Sequence, residues 1–377
     1  MNVSCLQENL AKGLGIVGRA LASRSTLPIT SNVLISSDEG RLKLAATNLE
    51  IALSCWIGAQ VEEEGALTVP ARLLIDFVNS LPNEKIELSV PTRQRQLHIT
   101  CARNEASMAG MDAADFPPVP QITDGLSLTL DQKAFRRAIQ QVQFAAATDD
   151  TRPVLTGIHT AIEGDQLTLA AADGFRLAVH KLTIDQDVPE KVEVIIPARA
   201  MREVERLIGD EEGPVEMSIN SARSQAVFKM ETVELVATLL QGTFPNYGQL
   251  IPASYATRAT INMGTFLQET RIASIFARDG AGIVRVQMEP GEGKGVGKMT
   301  ISSRAEEIGE HRGEMDVKIE GEASKIAFNS RYLQDVLAVL DSEEVALETT
   351  NPSSPGVIRP IDGEDYVHVV MPMFVQW

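Results

Sequence analysis

Gly13, Gly15 and Gly18 spell G-x-G-x-x-G, and Asp38 stands twenty residues past Gly18, where a carboxylate could meet the ribose of a dinucleotide. That chemistry needs an apolar strand running straight into the first glycine, so that the pyrophosphate meets free amides at a helix start. Here Gln7, Glu8, Asn9 and Lys12 precede it, and no βαβ alternation follows. The other reading is that small residues let a helix pack closely; a nucleotide-dependent enzyme built on Gly13, Gly15 and Gly18 is the alternative function. A second glycine-rich run, GEGKGVGK at residues 291–298, suggests a phosphate loop. It lacks a glycine five positions before Gly297, and Met299 replaces the hydroxyl residue, so a hairpin turn is expected. His98, His159, His180, His311 and His368 are isolated in strand-like runs. The clusters Glu62, Glu63, Glu64 and Asp210, Glu211, Glu212 sit beside glycine and read as solvated loops. No catalytic residue, metal or cofactor is expected.

Three arginines carry more information. The segments TVPARLLIDFVNSL (residues 68–81), IIPARAMREVERLI (195–208) and AFNSRYLQDVLAVL (327–340) each end a strand-like run in a turn and open an apolar helix. They align Arg72, Arg199 and Arg331, 127 and 132 residues apart. That period is too long for a solenoid and fits whole domains. The chain reads as one domain written three times, and an arginine kept at one place in each copy suggests a ring with a charged inner wall.

The elements around those arginines repeat as well. A helix comes early in each copy, near residues 6–21, 135–144 and 266–276, with apolar residues at helical spacing such as Leu6, Leu10, Leu14, Val17 and Leu21. Strand pairs follow, with Glu39-Gly40 and Gly164-Asp165 as their turns, then the arginine helix, then further strands. Two helices and about eight strands per copy predict an α+β fold of three tandem domains, 1–123, 124–252 and 253–377. The joints fall after DFPPVPQITDG and FPNYGQLIPAS, both opening on Phe-Pro.

With 377 residues and 44% apolar content, the chain is long enough for several domains with real cores. Cys5, Cys55 and Cys101 are odd in number and far apart, which predicts free thiols and a reducing, cytoplasmic setting. No run has the length of a membrane span. The net charge of −17 argues against nucleic acid at first sight, yet the six helical segments hold 13 basic against 9 acidic residues. A mildly basic lining inside an acidic shell and ordinary solvated helix faces both fit that count.

RSTLPITSN (24–32), TRPVLTGI (151–158), AADGFRLAV (171–179), FPNY (244–247) and VVMPM (369–373) closely resemble the bacterial sliding clamp family, the beta subunit of DNA polymerase III. The resemblance runs through all three repeats. It implies a head-to-tail homodimer closing a six-domain ring around double-stranded DNA. It also implies a processivity factor with no catalytic step, whose partners are the replicative polymerase, a clamp loader and other clamp-motif proteins.

Residue by residue, the resemblance turns Arg24, Arg72, Arg199, Asn329 and Tyr332 toward DNA. For Arg331 the repeat alignment allows a lining role or an outward ion pair. The implied peptide groove comprises Leu155, Ala172, Gly174, Phe175, Arg176 and Leu177 from the middle of the chain. Pro245, Gln249 and Leu250 join it from the second joint, and Val369, Met371 and Pro372 from the C-terminal run. Its ligand would be a short peptide with one glutamine and bulky apolar anchors. Phe175 stands where histidine is frequent, Ala172 replaces a threonine, and Gln249 takes a place where some members have arginine. For the subunit interface the resemblance points to Arg103, Ala106, Met108, Ile275 and Phe276, with Glu306 and Glu307 complementing Arg103.

Overall fold

The computed structural model describes residues 1–22, 27–91, 95–209, 213–277, 281–291, 296–305, 309–363 and 365–377. In the first repeat, β1 (Asn2–Leu6) leads into α1 (Gln7–Val17), followed by β2 (Asn32–Asp38), β3 (Arg41–Thr47), β4 (Ile51–Ile57), β5 (Gln60–Glu63) and β6 (Ala66–Pro70). Helix α2 (Ala71–Ser80) and strands β7 (Lys85–Ser89), β8 (Gln96–Cys101) and β9 (Asn104–Ala109) complete it. The second repeat runs β10 (Leu126–Leu130), α3 (Gln132–Gln143), β11 (Gly157–Ala172), β12 (Arg176–Pro197), α4 (Ala198–Ile208), β13 (Val215–Ile219), β14 (Gln225–Lys229) and β15 (Val233–Thr238). The third opens with β16 (Thr257–Asn262), α5 (Met263–Ala277), β17 (Ile283–Glu289), β18 (Val296–Ala305) and β19 (Gly309–Gly321). It ends with β20 (Ser324–Asn329), α6 (Ser330–Leu337), β21 (Glu344–Thr349), β22 (Gly356–Pro360) and β23 (Tyr366–Val370).

Two helices recur in each repeat, as the spacing predicts. The second repeat has fewer strands because β11 and β12, of 16 and 22 residues, do the work of several shorter ones. Residues 157–162 of β11 pair with 192–197 of β12, and residues 166–172 with 177–183, the register shifting at Gly164. In the first repeat β2 pairs with both β3 and β6, and β3 with β4.

Local signals set the helices. Asp131, Asn262 and Asn329 accept side-chain hydrogen bonds from the first-turn amides of α3, α5 and α6. Helix α2 buries Ala71, Leu74 and Val78 on one face, which turns Arg72 and Asp76 outward. The glycine motif lies within and at the end of α1, not in a strand-to-helix loop. A Cβ on Gly13 would come within 2.8 Å of Leu44, and one on Gly18 within 3.1 Å of Ile75. Gly13 and Gly18 therefore serve close packing. The run 291–298 lies partly outside the described residues.

The chain divides into two compact units, Met1–Arg136 with Arg199–Leu240, and Arg137–Ala198 with Gln241–Trp377. The first holds a sheet of order β5-β1-β7-β8-β9 and another of order β10-β13-β14-β15-β4-β3-β2-β6. The second holds one sheet, β11-β12-β23-β22-β21-β16-β19-β18-β17-β20. Sheets thus run from one repeat into the next: β4 pairs with β15, and β12 with β23. Phe135 and Phe228 stack in the core of the first unit, and Phe266 and Phe328 are fully buried in the second. The three cysteines are buried, and burial raises the Cys5 thiol to about 11. Among the described residues no helix is long and apolar enough to cross a membrane.

Candidate functional site

Arg72, Arg199 and Arg331 each occupy the second position of a helix, in α2, α4 and α6. The residue before each of them, Ala71, Ala198 and Ser330, is buried, whereas the three arginines are exposed beside a helix start whose partial charge has the same sign. Arg199 stands 4.0 Å from the Glu50 carboxylate, an exposed and weak pair. Asn329 is committed to α6, where its Oδ1 accepts from the Arg331 amide at 2.9 Å. Tyr332 is half-buried, stacks on Phe175 at 6.5 Å and lies 4.5 Å from the Arg176 guanidinium. The structure therefore brings Tyr332 to residues expected in the groove, and burial raises its phenol pKa. Arg24 lies outside the described residues.

The residues expected in a peptide groove lie together within the second unit. Between β11 and β12 the Asp173 Oδ1 accepts from the amides of Phe175 and Arg176 at 2.8 and 3.0 Å, closing a tight turn. Gly174 has φ +93, and a Cβ there would come 2.7 Å from the guanidinium of Arg152, whose Nη2 donates to the Asp173 carbonyl at 2.7 Å. No other residue fits this turn without strain. The turn throws Phe175 outward, 57% exposed, and folds Arg176 inward. Arg176 then binds Asp173 through Nε at 3.0 Å, Asp335 through Nη1 at 2.6 Å and the Phe144 carbonyl through Nη2 at 2.7 Å. With all three nitrogens engaged, Arg176 braces the wall instead of presenting a free charge to a ligand.

Ala172 pairs with Leu177, and Leu177 with Val369, so three strands lay one apolar row across the sheet. Leu177 and Val369 are buried with Val179 and Val367, and Ala172, Tyr247 and Ile251 pack against them. Leu155 and Pro372 are buried as well, whereas Pro245, Gln249, Leu250 and Met371 stand exposed around them. Met371 is held by its amide, which donates to the Phe175 carbonyl at 2.8 Å. The result is an apolar floor with a rim of Phe175, Leu250 and Met371, able to seat bulky side chains without any reactive group. Arg152, Asp335, Tyr247 and Ile251 belong to this construction and were not expected from the sequence; the Phe-Pro joint held the signal for the last two.

Comparison with known proteins decides the family. Models of the DNA polymerase III beta subunit match in order: the N-terminal domain over residues 1–120, the central domain over 129–246 and the C-terminal domain over 248–374. The chain belongs to the DNA polymerase III beta subunit family. It is 31% identical over 364 residues to the beta sliding clamp of Staphylococcus aureus, covering 94% of each chain. The beta sliding clamp of Synechocystis is 31% identical over 392 residues, covering 99% of each. Among solved structures, the DNA polymerase sliding clamp of Bacillus subtilis is similar with a TM-score of 0.93 at 28% identity, covering 100% of each chain. A Pseudomonas aeruginosa sliding clamp solved with griselimycin bound gives 0.92 at 28% identity, also covering 100% of each.

The described residues expected at a subunit interface lie at two places, by strand β9 and on helix α5. Among the described residues strand β9 pairs only with β8 and ends its sheet. Arg103 is exposed just before it, Ala106 is half-buried, and Met108 is turned into the chain at 4% exposure. In the second unit, residues 309–317 of β19 pair only with β18 among the described residues. Above that edge Ile275 of α5 is 55% exposed, and Phe276 stacks on His311 at 5.9 Å. Glu306 and Glu307 lie outside the described residues.

Proposed function

We propose that this chain is a DNA sliding clamp, a non-enzymatic processivity factor that closes as a head-to-tail homodimer around duplex DNA. The observation that carries the reading is a strand pairing made twice and left unmade once. Strand β4 of the first repeat joins β15 of the second, and β12 of the second joins β23 of the third. Continuing the series calls for a partner to the N-terminal part of β19, and the strand at the corresponding place in the first repeat is β9. Among the described residues both edges are unpaired in one chain, so two chains related head to tail satisfy both, and free edges of that kind are otherwise an aggregation hazard. The exposed helix-start arginines of the three repeats supply a sequence-independent attraction for phosphate. The domains run 1–123, 124–252 and 253–377, and the groove of the second unit holds polymerase, clamp loader and other partners by a glutamine-plus-apolar peptide. The setting is cytoplasmic.

Size measured across a dilution series should give a dimer. Once loaded onto nicked circular DNA by a clamp-loading ATPase, the protein should stay bound in high salt and leave when the circle is linearised. Equal salt loss from circles and linear duplexes would overturn the reading.

A further inference from the structure

The groove floor is the first of three rows on one face of the sheet in the second unit. The first row is Ala172, Leu177 and Val369; the second is Ala170, Val179 and Val367; the third is Thr168, Lys181 and Asp365, where the Lys181 amide donates to the Asp365 carbonyl at 2.8 Å. The first two rows are apolar and the third is polar, so the surface changes character as it leaves the groove. Over the second and third rows lies a cavity of about 680 Å³, walled on one side by Tyr247, Gly248 and Ile251 of the Phe-Pro joint. That joint also supplies Pro245 and Leu250 to the groove, so a single segment borders both compartments.

Within the cavity several charges cancel. Lys191 and Glu193 are 2.7 Å apart, and Arg359 lies 3.4 Å from Glu348 outside the lining, a carboxylate that Arg258 shares at 3.2 Å. His159 is held below its usual pKa mainly by burial, stacked on Phe244 and set against Tyr247. What stays at the mouth is Glu163, Asp165 and Asp365 against Lys181, an excess of carboxylate over an apolar base of Val179 and Val367. A long basic side chain matches that arrangement: its methylenes lie on the valines and its cationic head reaches the carboxylates.

We infer that this cavity is an extension of the peptide groove that takes a lysine or arginine flanking the apolar anchors of the same bound peptide. The inference rests on the groove reading given under Proposed function. It adds a preference that the apolar row alone lacks, because partners with equal anchors would then be ranked by the charge beside them.

Three fluorescent peptides with identical glutamine-plus-apolar anchors test it: one with neutral flanks, one with an added arginine on the N-terminal side, and one with the arginine on the C-terminal side. One basic peptide should bind the full-length protein roughly fivefold more tightly than the neutral one, a gain of the size exposed ion pairs supply. The gain should vanish in 0.5 M salt and in the triple variant Glu163→Gln, Asp165→Asn, Asp365→Asn. The neutral peptide should bind that variant as it binds the wild type, which reports an intact groove. Equal affinity for all three peptides, or a gain that survives the triple variant, overturns the extension while leaving the groove standing. If the neutral peptide fails to bind the wild type, the groove reading falls and this inference with it.

Discussion

Arg176 Nη1 lies 2.6 Å from Asp335 Oδ2, joining residues 159 positions apart, one opening β12 and one on α6. The arginine side chain is 10% exposed and the aspartate 29%, so the pair is largely shielded from screening. Removing one partner strands the other, which costs more than the pair is worth when intact.

Arg176→Ala should therefore lower the stability of the second unit by roughly 2 kcal/mol, by leaving Asp335, Asp173 and the Phe144 carbonyl without their donor. Peptide affinity should fall with it, since Arg176 braces the turn that carries Phe175. Thermal melts and peptide titration on the same sample check this; a melt unchanged from wild type would contradict the bracing role.

Met371→Ala should separate the two effects. Met371 is 42% exposed and fixed through its backbone, so its side chain contributes little to the fold. Peptide binding should weaken by about 1–2 kcal/mol, with the melting temperature unchanged. Fluorescence anisotropy against a glutamine-plus-apolar peptide, with calorimetry in parallel, measures both.

How much of the molecule is legible in the sequence depends on the range of each interaction. The arginine-bearing helix starts can be read because apolar spacing and turn residues are local, and Arg72, Arg199 and Arg331 do fall at equivalent positions. The groove can be read only through resemblance. Asp173 is the one local partner of Arg176, three residues before it, but the groups that complete its inward position, Asp335, Tyr332 and Phe144, are distant in sequence. The same distance hides the β4–β15 and β12–β23 pairings, whose partners are separated by more than a whole repeat. Gly13, Gly15 and Gly18 mislead in the opposite sense: a motif defined by spacing takes no account of whether a helix has already begun at Gln7.

Subunit assembly should depend on the α5 face above the β19 edge. Ile275→Asp puts a carboxylate on a half-exposed apolar position and should cost roughly 2 kcal/mol at each interface while leaving the fold intact. Sedimentation at micromolar concentration should then show monomer with an unchanged circular dichroism spectrum. A persistent dimer would place the interface elsewhere.

Replacing Arg72, Arg199 and Arg331 together with alanine should weaken binding to short linear duplex and flatten its salt dependence, by about 0.9 in the log–log slope for each phosphate left without its arginine. Retention on a closed circle after loading should be unaffected, because enclosure needs no strong attraction. An unchanged slope would remove the three arginines from the DNA face.

The acid limb of stability should come first from two buried histidines. Burial lowers His180 to about 4 and His368 to about 3, from an unfolded value near 6.5. Burial disfavours the charged ring in both: neutral His180 packs against Tyr366 and donates from Nδ1 to Gln141 Oε1 at 2.8 Å, and His368 is fully enclosed beside Phe144. Both are neutral in the folded state, so their contribution is complete above pH 6.5. It is lost as pH falls toward their folded values, because the unfolded chain takes up protons that the folded one refuses. Between about pH 6 and 5 each histidine should remove about 1.4 kcal/mol per pH unit, in a range where most carboxylates are still ionised. Urea unfolding at pH 7.5, 6.0, 5.5 and 5.0 measures the slope. His180→Gln keeps a donor for Gln141 and should reduce that slope by close to one proton, whereas an unchanged slope would mean that the ring titrates in the folded protein much as it does in the unfolded chain.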